Sequence, residues 1–310
     1  MEGHVEPGRW HVALVGPTAS GKSELALALA SRRAEAELVY VDSMSVYRHM
    51  DVGTAKPPPE QRARVPHHLL DLAEPDEEFT VRQFQEAAGK ALGRIEERGH
   101  RALLVAGTGL YLRAVVDDLE LPGRWPEVAR ALESEADLPG GLERLYSRLC
   151  CLDPQAATRI EPANRRRIVR ALEVTIGSGR RFSSFGPGLG SYPPTRFVLV
   201  GLTFDPGLHG VRIEKRFESM LGAGLLDEVR ALAARPGGIS RTARQALGYR
   251  ELLAHLEDGV PLEEAVSEAI ARTKAFARHQ WAWFRRDPRI CWLDPSRDPL
   301  PQLLELWDTA

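Results

Sequence analysis

Residues 11–34 read HVALVGPTASGKSELALALASRRA. This stretch opens at 11–16 with a short apolar run that ends in glycine, which predicts a buried strand. Residues 22–34 are rich in helix-favouring residues. Between them, residues 16–23 read GPTASGKS and match G-x-x-x-x-G-K-[ST], with the required strand before and helix after. The sequence therefore predicts a phosphate-binding loop.

This loop predicts a site for a polyphosphate, because consecutive backbone N–H groups converge on phosphate oxygens at a helix N-terminus. Lys22 adds a positive charge, and the Ser23 hydroxyl is the predicted ligand of Mg²⁺. Only five of the 41 cationic residues are lysines, so a retained Lys22 argues against a chance match. The predicted diphosphate-binding residues are Gly16, Pro17, Thr18, Ala19, Ser20, Gly21, Lys22 and Ser23.

The surrounding sequence alternates strands and helices. A second apolar run, 38–41, ends at Asp42, and residues 101–106 predict a third strand. Between them Thr80 and Gln83 form a capping-box pattern before a helical stripe. This alternation predicts an α/β fold with a parallel sheet covered on both faces.

The second half of the chain changes in character. Residues 126–180 hold helical patterns without a convincing strand, and we interpret them as a helical insertion. Strand character returns at 195–204 and again at 290–294. The long stretch between, 206–286, predicts helices broken near 235–240 and 258–261.

Composition excludes several classes. The chain has 310 residues and a net charge of −2, and no apolar run approaches the roughly 20 residues that span a bilayer. Its N-terminus lacks a signal peptide pattern, so we expect a cytoplasmic protein without membrane contact. We also expect the protein to be a monomer. Cys150, Cys151 and Cys291 form no C-x-x-C pair and support neither a disulfide framework nor a zinc site.

Asp42 is the candidate catalytic carboxylate. It ends a strand predicted to lie beside the phosphate-loop strand, and ligands of open α/β sheets bind at such ends. It could hold Mg²⁺ or accept a proton; alternatively it caps a following helix. The guanine-recognition motif Asn-Lys-x-Asp is absent, because Asn164 is the only asparagine and Arg165 follows it.

Several motifs together resemble the tRNA dimethylallyltransferases. They occur in the family's order and cover nearly the whole chain: GPTASGKS (16–23), VDSMSVYRHMDVGTAKP (41–57), PHHLLD (66–71), AGTGLY (106–111), RRRIVRALEV (165–174), RIEKRF (212–217), GYRE (248–251) and the RHQWAWFRR stretch. The resemblance implies a P-loop kinase-like core, 1–115 with 195–310, and a helical insertion, 116–194, that grips the anticodon stem-loop of tRNA.

The resemblance also implies the reaction. The family transfers a dimethylallyl group from dimethylallyl diphosphate to N6 of the adenine just 3′ of the anticodon, in tRNAs that read codons beginning with U. Mg²⁺ is required and diphosphate is released. Asp42 matches the family's catalytic aspartate, Thr18 its diphosphate-contacting threonine, and Arg216 an arginine that reaches the diphosphate; Lys22 completes the predicted catalytic set. An arginine on an amphipathic helix can instead simply be solvated.

The resemblance further implies a set of tRNA contacts, and it implies that the target base leaves its stack. The predicted tRNA-binding residues are Asp42, Ser43, Met44, Ser45, Thr108, Arg166, Arg167, Arg170, Gln245, Gly248, Tyr249 and Arg250. Two alternatives stay open. The arginines can form a solvated helix face in an Arg-rich protein, and Tyr47, Tyr111 and Tyr249 can be core aromatics.

A few residues depart from the family pattern, and two other functions compete with this one. Ala106 stands where the family usually has glycine, and Gln245 and His279 stand where some relatives have basic residues. A P-loop kinase, with Asp42 activating a hydroxyl, is the main competing enzyme. A non-enzymatic RNA-binding protein with a vestigial nucleotide site is the third possibility.

Overall fold

The computed structural model describes residues 11–186 and 188–310. The chain divides into an α/β unit, formed by residues up to Asp117 together with Pro194–Ala310, and a helical unit, Asp118–Pro193. Sequence reasoning put the boundaries at 115/116 and 194/195. The first ten residues, on which the expected lack of a signal peptide rests, lie outside the described residues.

The α/β unit is built on a six-stranded sheet, in which neighbours pair in parallel in the order β3-β2-β4-β1-β5-β6. The strands are β1 (His11–Val15), β2 (Ala36–Val41), β3 (His67–His68), β4 (Arg101–Ala106), β5 (Phe197–Leu202) and β6 (Cys291–Leu293). The predicted α/β fold class is confirmed. The short edge strand β3 was not predicted, because two residues carry no periodicity.

Helices surround this sheet and form the second unit. In chain order they are α1 (Lys22–Ala30), α2 (Pro59–Arg64), α3 (Val81–Glu97), α4 (Gly109–Val116), α5 (Pro126–Ala136), α6 (Gly141–Leu152), α7 (Pro154–Ala157), α8 (Arg165–Ser178), α9 (Pro206–Gly222), α10 (Leu225–Ala233), α11 (Tyr249–Asp258), α12 (Leu262–Phe284) and α13 (Leu300–Thr309). None of these helices is long and apolar enough to cross a membrane.

The sheet is buried on both faces, as a parallel sheet requires. Alternate residues of β1 enter different core clusters: Leu14 joins Trp307 of α13 on one face, and Val15 joins Phe84 of α3 on the other. Every residue of β1 is buried. The apolar run at 11–15 is therefore explained by helices on both sides of the central strand.

Local signals set several helix ends. The predicted capping box at the start of α3 is present, with the Thr80 hydroxyl accepting from the Gln83 backbone N–H and the Gln83 side chain accepting from Thr80 N–H. The helical stretch 206–286 contains one more break than predicted, at 223–224, where Gly224 adopts φ +94° before α10.

The helical unit has a core of its own. Leu132, Leu145, Leu149, Ile168 and Leu172, from α5, α6 and α8, are buried together. Within its described residues, 118–186 and 188–193, this unit contains no strand. Its predicted role in gripping tRNA stays a prediction.

Candidate active site

A cleft of about 1430 Å³ opens at the carboxyl ends of the strands in the α/β unit. The loops after β1, β2 and β4 line it, together with α9 and α12. The predicted site residues that the structure brings to this cleft are Thr18, Ala19, Ser20, Gly21, Lys22, Ser23, Asp42, Ser43, Met44, Ser45, Thr108, Arg216 and Gln245. Predicted residues far apart in sequence thus share one concave surface.

The phosphate loop joins β1 to α1 through a tight backbone. Gly21, at the start of α1, has φ +87°, a conformation that glycine adopts without strain. Ala19 has φ +60° despite its side chain. Gly16 and Pro17, the first two residues of the loop, are buried, and the Lys22 ammonium donates to the Pro17 carbonyl at 3.2 Å. The positive φ angles of Ala19 and Gly21 and the hydrogen bond of Lys22 therefore shape the loop.

Two cations make the cleft attractive to anions. Desolvation and the neighbouring Arg216 lower the pKa of Lys22 to about 8, against the opposing effect of Asp42. Burial also lowers the pKa of Arg216, although Glu24 and Asp42 act in the other direction. A ligand with several negative charges would stabilise the charged form of both side chains.

The two oxygens of Asp42 have different surroundings. Oδ1 accepts hydrogen bonds from the backbone N–H groups of Met44 (2.8 Å) and Ser45 (3.0 Å). The following residues form turns, so the helix invoked in the capping alternative is absent, and this oxygen caps a turn. Thr108 supports the same turn, its Oγ1 accepting from the Ser43 N–H at 3.3 Å.

Gly107 lies beside the charged groups of the cleft. A Cβ atom placed on Gly107 would lie 3.7 Å from Asp42 Oδ2, 3.7 Å from Lys22 Nζ and 3.3 Å from Gln280 Nε2. The second oxygen of Asp42 therefore faces the lysine of the phosphate loop across a glycine. A reacting group held here would touch both the anion site and the carboxylate.

Sequence reasoning missed two side chains beside the phosphate loop. Gln280 of α12 is buried and bonds to the backbone of Thr18 and of Gly107. Tyr40, near the end of β2, lines the cleft beside the phosphate loop and stacks on His67. A polar residue in an aromatic-rich helix and a tyrosine in a strand carry no functional signal by themselves.

The loop 51–56 forms another wall of the cleft. The hydrogen bonds that hold it involve Tyr249, which was predicted to contact tRNA. Glu228 accepts hydrogen bonds from the backbone N–H groups of this loop and from the Tyr249 hydroxyl. Tyr249 is 0% exposed, so its side chain does not contact RNA in this structure. Tyr47 and Tyr111 are buried as well, as the core alternative proposed.

The Lys56 ammonium also holds this loop through hydrogen bonds. It donates to Tyr47 O (2.5 Å), Asp51 (2.8 Å) and Asp71 (2.6 Å), and its side chain is almost wholly buried. Lys56 lines the cleft, but its charge is matched by two carboxylates. Its role in this structure is to hold the loop.

Other predicted RNA contacts differ in exposure. Arg166 and Arg167 are exposed on α8. Arg170 is held within the helical unit by the carbonyls of Pro122 and Gly123 and by a 2.8 Å ion pair with Glu173.

Arg170 therefore has a structural role in this unit. In the α/β unit, Gln245 and Arg250 are exposed, whereas Gly248 is buried at the start of α11.

The oxygen donors at the phosphate loop fit a magnesium ion. Mg²⁺ is usually held by one or two protein oxygens, with substrate phosphates and waters completing its octahedron. Ser23 supplies a hydroxyl, and Asp42 a carboxylate, in the same cleft. No cluster of three or more His, Cys, Asp or Glu that could hold a metal occurs among residues 11–186 and 188–310. The fit is that of a substrate-associated ion, and Ser23 stays its predicted ligand.

A P-loop, two cationic side chains and a carboxylate at the carboxyl edge of a parallel sheet define the class of P-loop α/β proteins. The sequence profile of the IPP transferase family matches residues 45–287. The chain belongs to the IPP transferase family.

Individual relatives match over nearly their full length. A tRNA dimethylallyltransferase of Acidothermus cellulolyticus is 48% identical over 304 residues, which cover 96% of this chain and 94% of the relative. One from Streptomyces coelicolor is 46% identical over 296 residues, covering 94% and 93%.

The chain is also similar to solved structures of such transferases. A tRNA isopentenylpyrophosphate transferase of Bacillus halodurans is similar at a TM-score of 0.70, with 35% identity and coverage of 97% of this chain and 95% of that chain. A eukaryotic dimethylallyltransferase, captured acting on tRNA, gives a TM-score of 0.76 at 26% identity, covering 96% and 75%.

Proposed function

We propose that this protein transfers a dimethylallyl group from dimethylallyl diphosphate to N6 of the adenine 3′-adjacent to the anticodon of tRNA. The substrate tRNAs are those that read codons beginning with U, and the second product is diphosphate. The observation that carries the proposal is the shared cleft, in which the phosphate loop faces Asp42 across Gly107. Membership of the IPP transferase family supports the same chemistry.

The proposed step is a substitution at the first carbon of the prenyl group. The bond from this carbon to the diphosphate oxygen breaks, a bond to N6 of adenine forms, and the leaving electron pair stays on diphosphate. Loop N–H groups, Lys22 and Arg216 stabilise the charge that develops there. Asp42 accepts the N6 proton through Oδ2, since Oδ1 is held by the turn.

The walls of the cleft suit both ends of the prenyl substrate. Ile213, Phe217 and Met220 on α9 line the cleft and offer an apolar surface to the five-carbon tail. Arg216 lies on the same helix, at the charged end. Because one helix offers both surfaces, a short prenyl diphosphate matches the cleft in polarity.

Mg²⁺ is the proposed cofactor, with Ser23 as the residue that would hold it. When bound, the ion neutralises negative charge on the diphosphate. The protein's own contribution is to orient the diphosphate, to keep Lys22 and Arg216 beside it, and to hold the Asp42 carboxylate in place. The anticodon stem-loop would bind the exposed arginines of α8 through phosphate contacts.

The proposal is tested by incubating the protein with Mg²⁺, dimethylallyl diphosphate labelled in the prenyl group, and an unmodified tRNA transcript. We expect label on tRNA without added ATP. The matched control is the same transcript with guanine in place of the target adenine, which should remain unlabelled. Phosphate transfer from ATP with no labelled tRNA would contradict the proposal and support a kinase.

A further inference from the structure

Gln280 connects two loops of the cleft that are remote in sequence. It lies on α12, and it is 7% exposed. Its Oε1 accepts the Thr18 backbone N–H at 2.8 Å, and its Nε2 donates to the Gly107 carbonyl at 2.7 Å. The carboxamide thus joins the phosphate loop to the end of β4.

A carboxamide is suited to this bridge because it offers one acceptor and one donor on the same planar group. Its orientation is set by its partners, since Oε1 faces an N–H and Nε2 faces a carbonyl. Buried backbone groups that lose such partners are costly to leave unsatisfied. A side chain that lacks both the donor and the acceptor at position 280 would therefore release both loops together.

The bridge lies beside the reacting groups. The site that a Cβ on Gly107 would fill is surrounded by Gln280 Nε2, Asp42 Oδ2 and Lys22 Nζ. Movement of Gly107 would change the space between the carboxylate and the lysine. Movement of Thr18 would change the loop that is proposed to cradle diphosphate.

We propose that Gln280 is a positioning residue that sets the separation between the diphosphate site and the Asp42 carboxylate. The inference rests on the proposed function, because its kinetic effect is an effect on prenyl transfer. Gln280 does not need to touch either substrate. It acts through Thr18 and Gly107, whose backbone it holds.

The test compares Gln280→Met and Gln280→Glu with the native protein. Methionine has a side chain of similar length and removes both hydrogen bonds. Glutamate keeps the acceptor for Thr18 but places a carboxylate oxygen against the Gly107 carbonyl. We expect the kcat of prenyl transfer to fall about 10- to 100-fold in each variant, because small displacements of reacting groups are costly. The Kd for inorganic diphosphate with Mg²⁺ should rise about tenfold, and the Kd for tRNA should be unchanged.

Gln85→Met is the matched control. Gln85 donates from Nε2 to the Ala114 carbonyl at 2.8 Å, and it does not line the cleft. All assays are run well below the melting temperature of the least stable variant. The kcat and the diphosphate affinity of this control should match those of the native protein, even if its thermal stability falls.

Two results would overturn the inference. One is a folded Gln280 variant with native kcat and native diphosphate affinity. The other is a loss of kcat in Gln85→Met equal to that in Gln280→Met, which would indicate general destabilisation. If Gln280→Met does not fold, Gln280→Glu decides by the same criteria. Failure of the native protein to label tRNA would reject the proposed function, while the diphosphate titration would still decide whether Gln280 holds the loop.

Discussion

At the scale of single residues, the two oxygens of Asp42 differ: one holds the carboxylate in place, and in the proposed function the other takes part in the reaction. Oδ1 accepts two backbone N–H groups and keeps the carboxylate in one orientation. Oδ2 faces the site between Gly107 and Lys22. Side chains that are fixed by hydrogen bonds can act on a substrate without first reorganising.

Replacing Asp42 with asparagine should lower turnover by about 10²- to 10⁴-fold, the usual contribution of a general base. The amide oxygen can still accept from Met44 and Ser45, so the turn should persist. The measurement is single-turnover prenyl transfer together with tRNA binding, and tRNA affinity should stay near the native value. Native turnover, or weakened tRNA binding with normal turnover, would contradict the base role.

Lys22 should make diphosphate binding depend on pH. Its pKa is lowered to about 8, so the ammonium loses its proton as the pH rises through this value, and affinity should fall there. Lys22→Arg keeps its charge. Calorimetric titration of inorganic diphosphate between about pH 7 and pH 9.5 should show the native Kd rising relative to that of Lys22→Arg. A constant ratio of the two Kd values would contradict this account.

At the scale of elements, α10 fixes a loop of the cleft through one carboxylate. Glu228 accepts from the N–H groups of Asp51 (2.8 Å), Val52 (2.8 Å) and Gly53 (3.2 Å), and from the Tyr249 hydroxyl. The close approach also requires a glycine, because a Cβ on Gly53 would lie 2.3 Å from the Tyr249 ring. The loop after β2 is therefore locked to the helices that cover the sheet.

Glu228→Gln should reduce the free energy of unfolding by about 1–3 kcal/mol, because an NH₂ group would face backbone donors. Urea denaturation measures the loss. The control is Glu218→Gln on the exposed side of α9, expected to stay within about 0.5 kcal/mol of the native protein. Equal effects of the two substitutions would show that Glu228 does not anchor the loop.

The helical unit should carry part of the tRNA interface on α8. Arg167 is exposed there, and reversing its charge with Arg167→Glu should weaken tRNA binding while leaving diphosphate binding unchanged. Arg94→Glu changes the net charge equally on the exposed surface of α3 and serves as the control. Filter binding at fixed salt compares the three proteins. Unaltered tRNA affinity in Arg167→Glu would remove this residue from the interface.

At the scale of the whole molecule, a cluster of paired charges lies at the end of the sheet opposite the cleft and stabilises it. Glu37, at the start of β2, is 1% exposed and pairs with Arg98, His68 and His100. Burial alone would raise its pKa, but the hydrogen bonds from these partners outweigh it and lower the pKa from 4.5 to about 2. The sheet is thus stabilised at one end and open to ligands at the other.

This shift predicts how stability depends on pH. Because the folded-state pKa is depressed, the contribution of Glu37 is present above about pH 4.5 and is lost as the pH falls towards about 2. We expect about 3 kcal/mol at most, from about 1.4 kcal/mol per pKa unit. The stability difference between the native protein and Glu37→Gln, measured by urea denaturation, should shrink across this range. A difference independent of pH would contradict the assignment.

Sequence could predict the parts of the molecule that rest on local pattern. The strand–loop–helix at 11–34, the capping box of α3 and the carboxylate at the end of β2 each have a short-range signature. Gln280, Glu228 and the burial of Tyr249 depend on contacts between segments that only the fold brings together. Such tertiary partners leave no periodicity or motif in one sequence.

Calorimetry tests most directly whether the cleft binds a prenyl diphosphate. It compares a non-reactive thiolo analogue of dimethylallyl diphosphate with ATP, both in the presence of Mg²⁺. We expect saturable binding of the prenyl analogue, tighter than the binding of ATP and weakened by Lys22→Met. Tight binding of ATP with no uptake of the prenyl analogue would contradict this expectation.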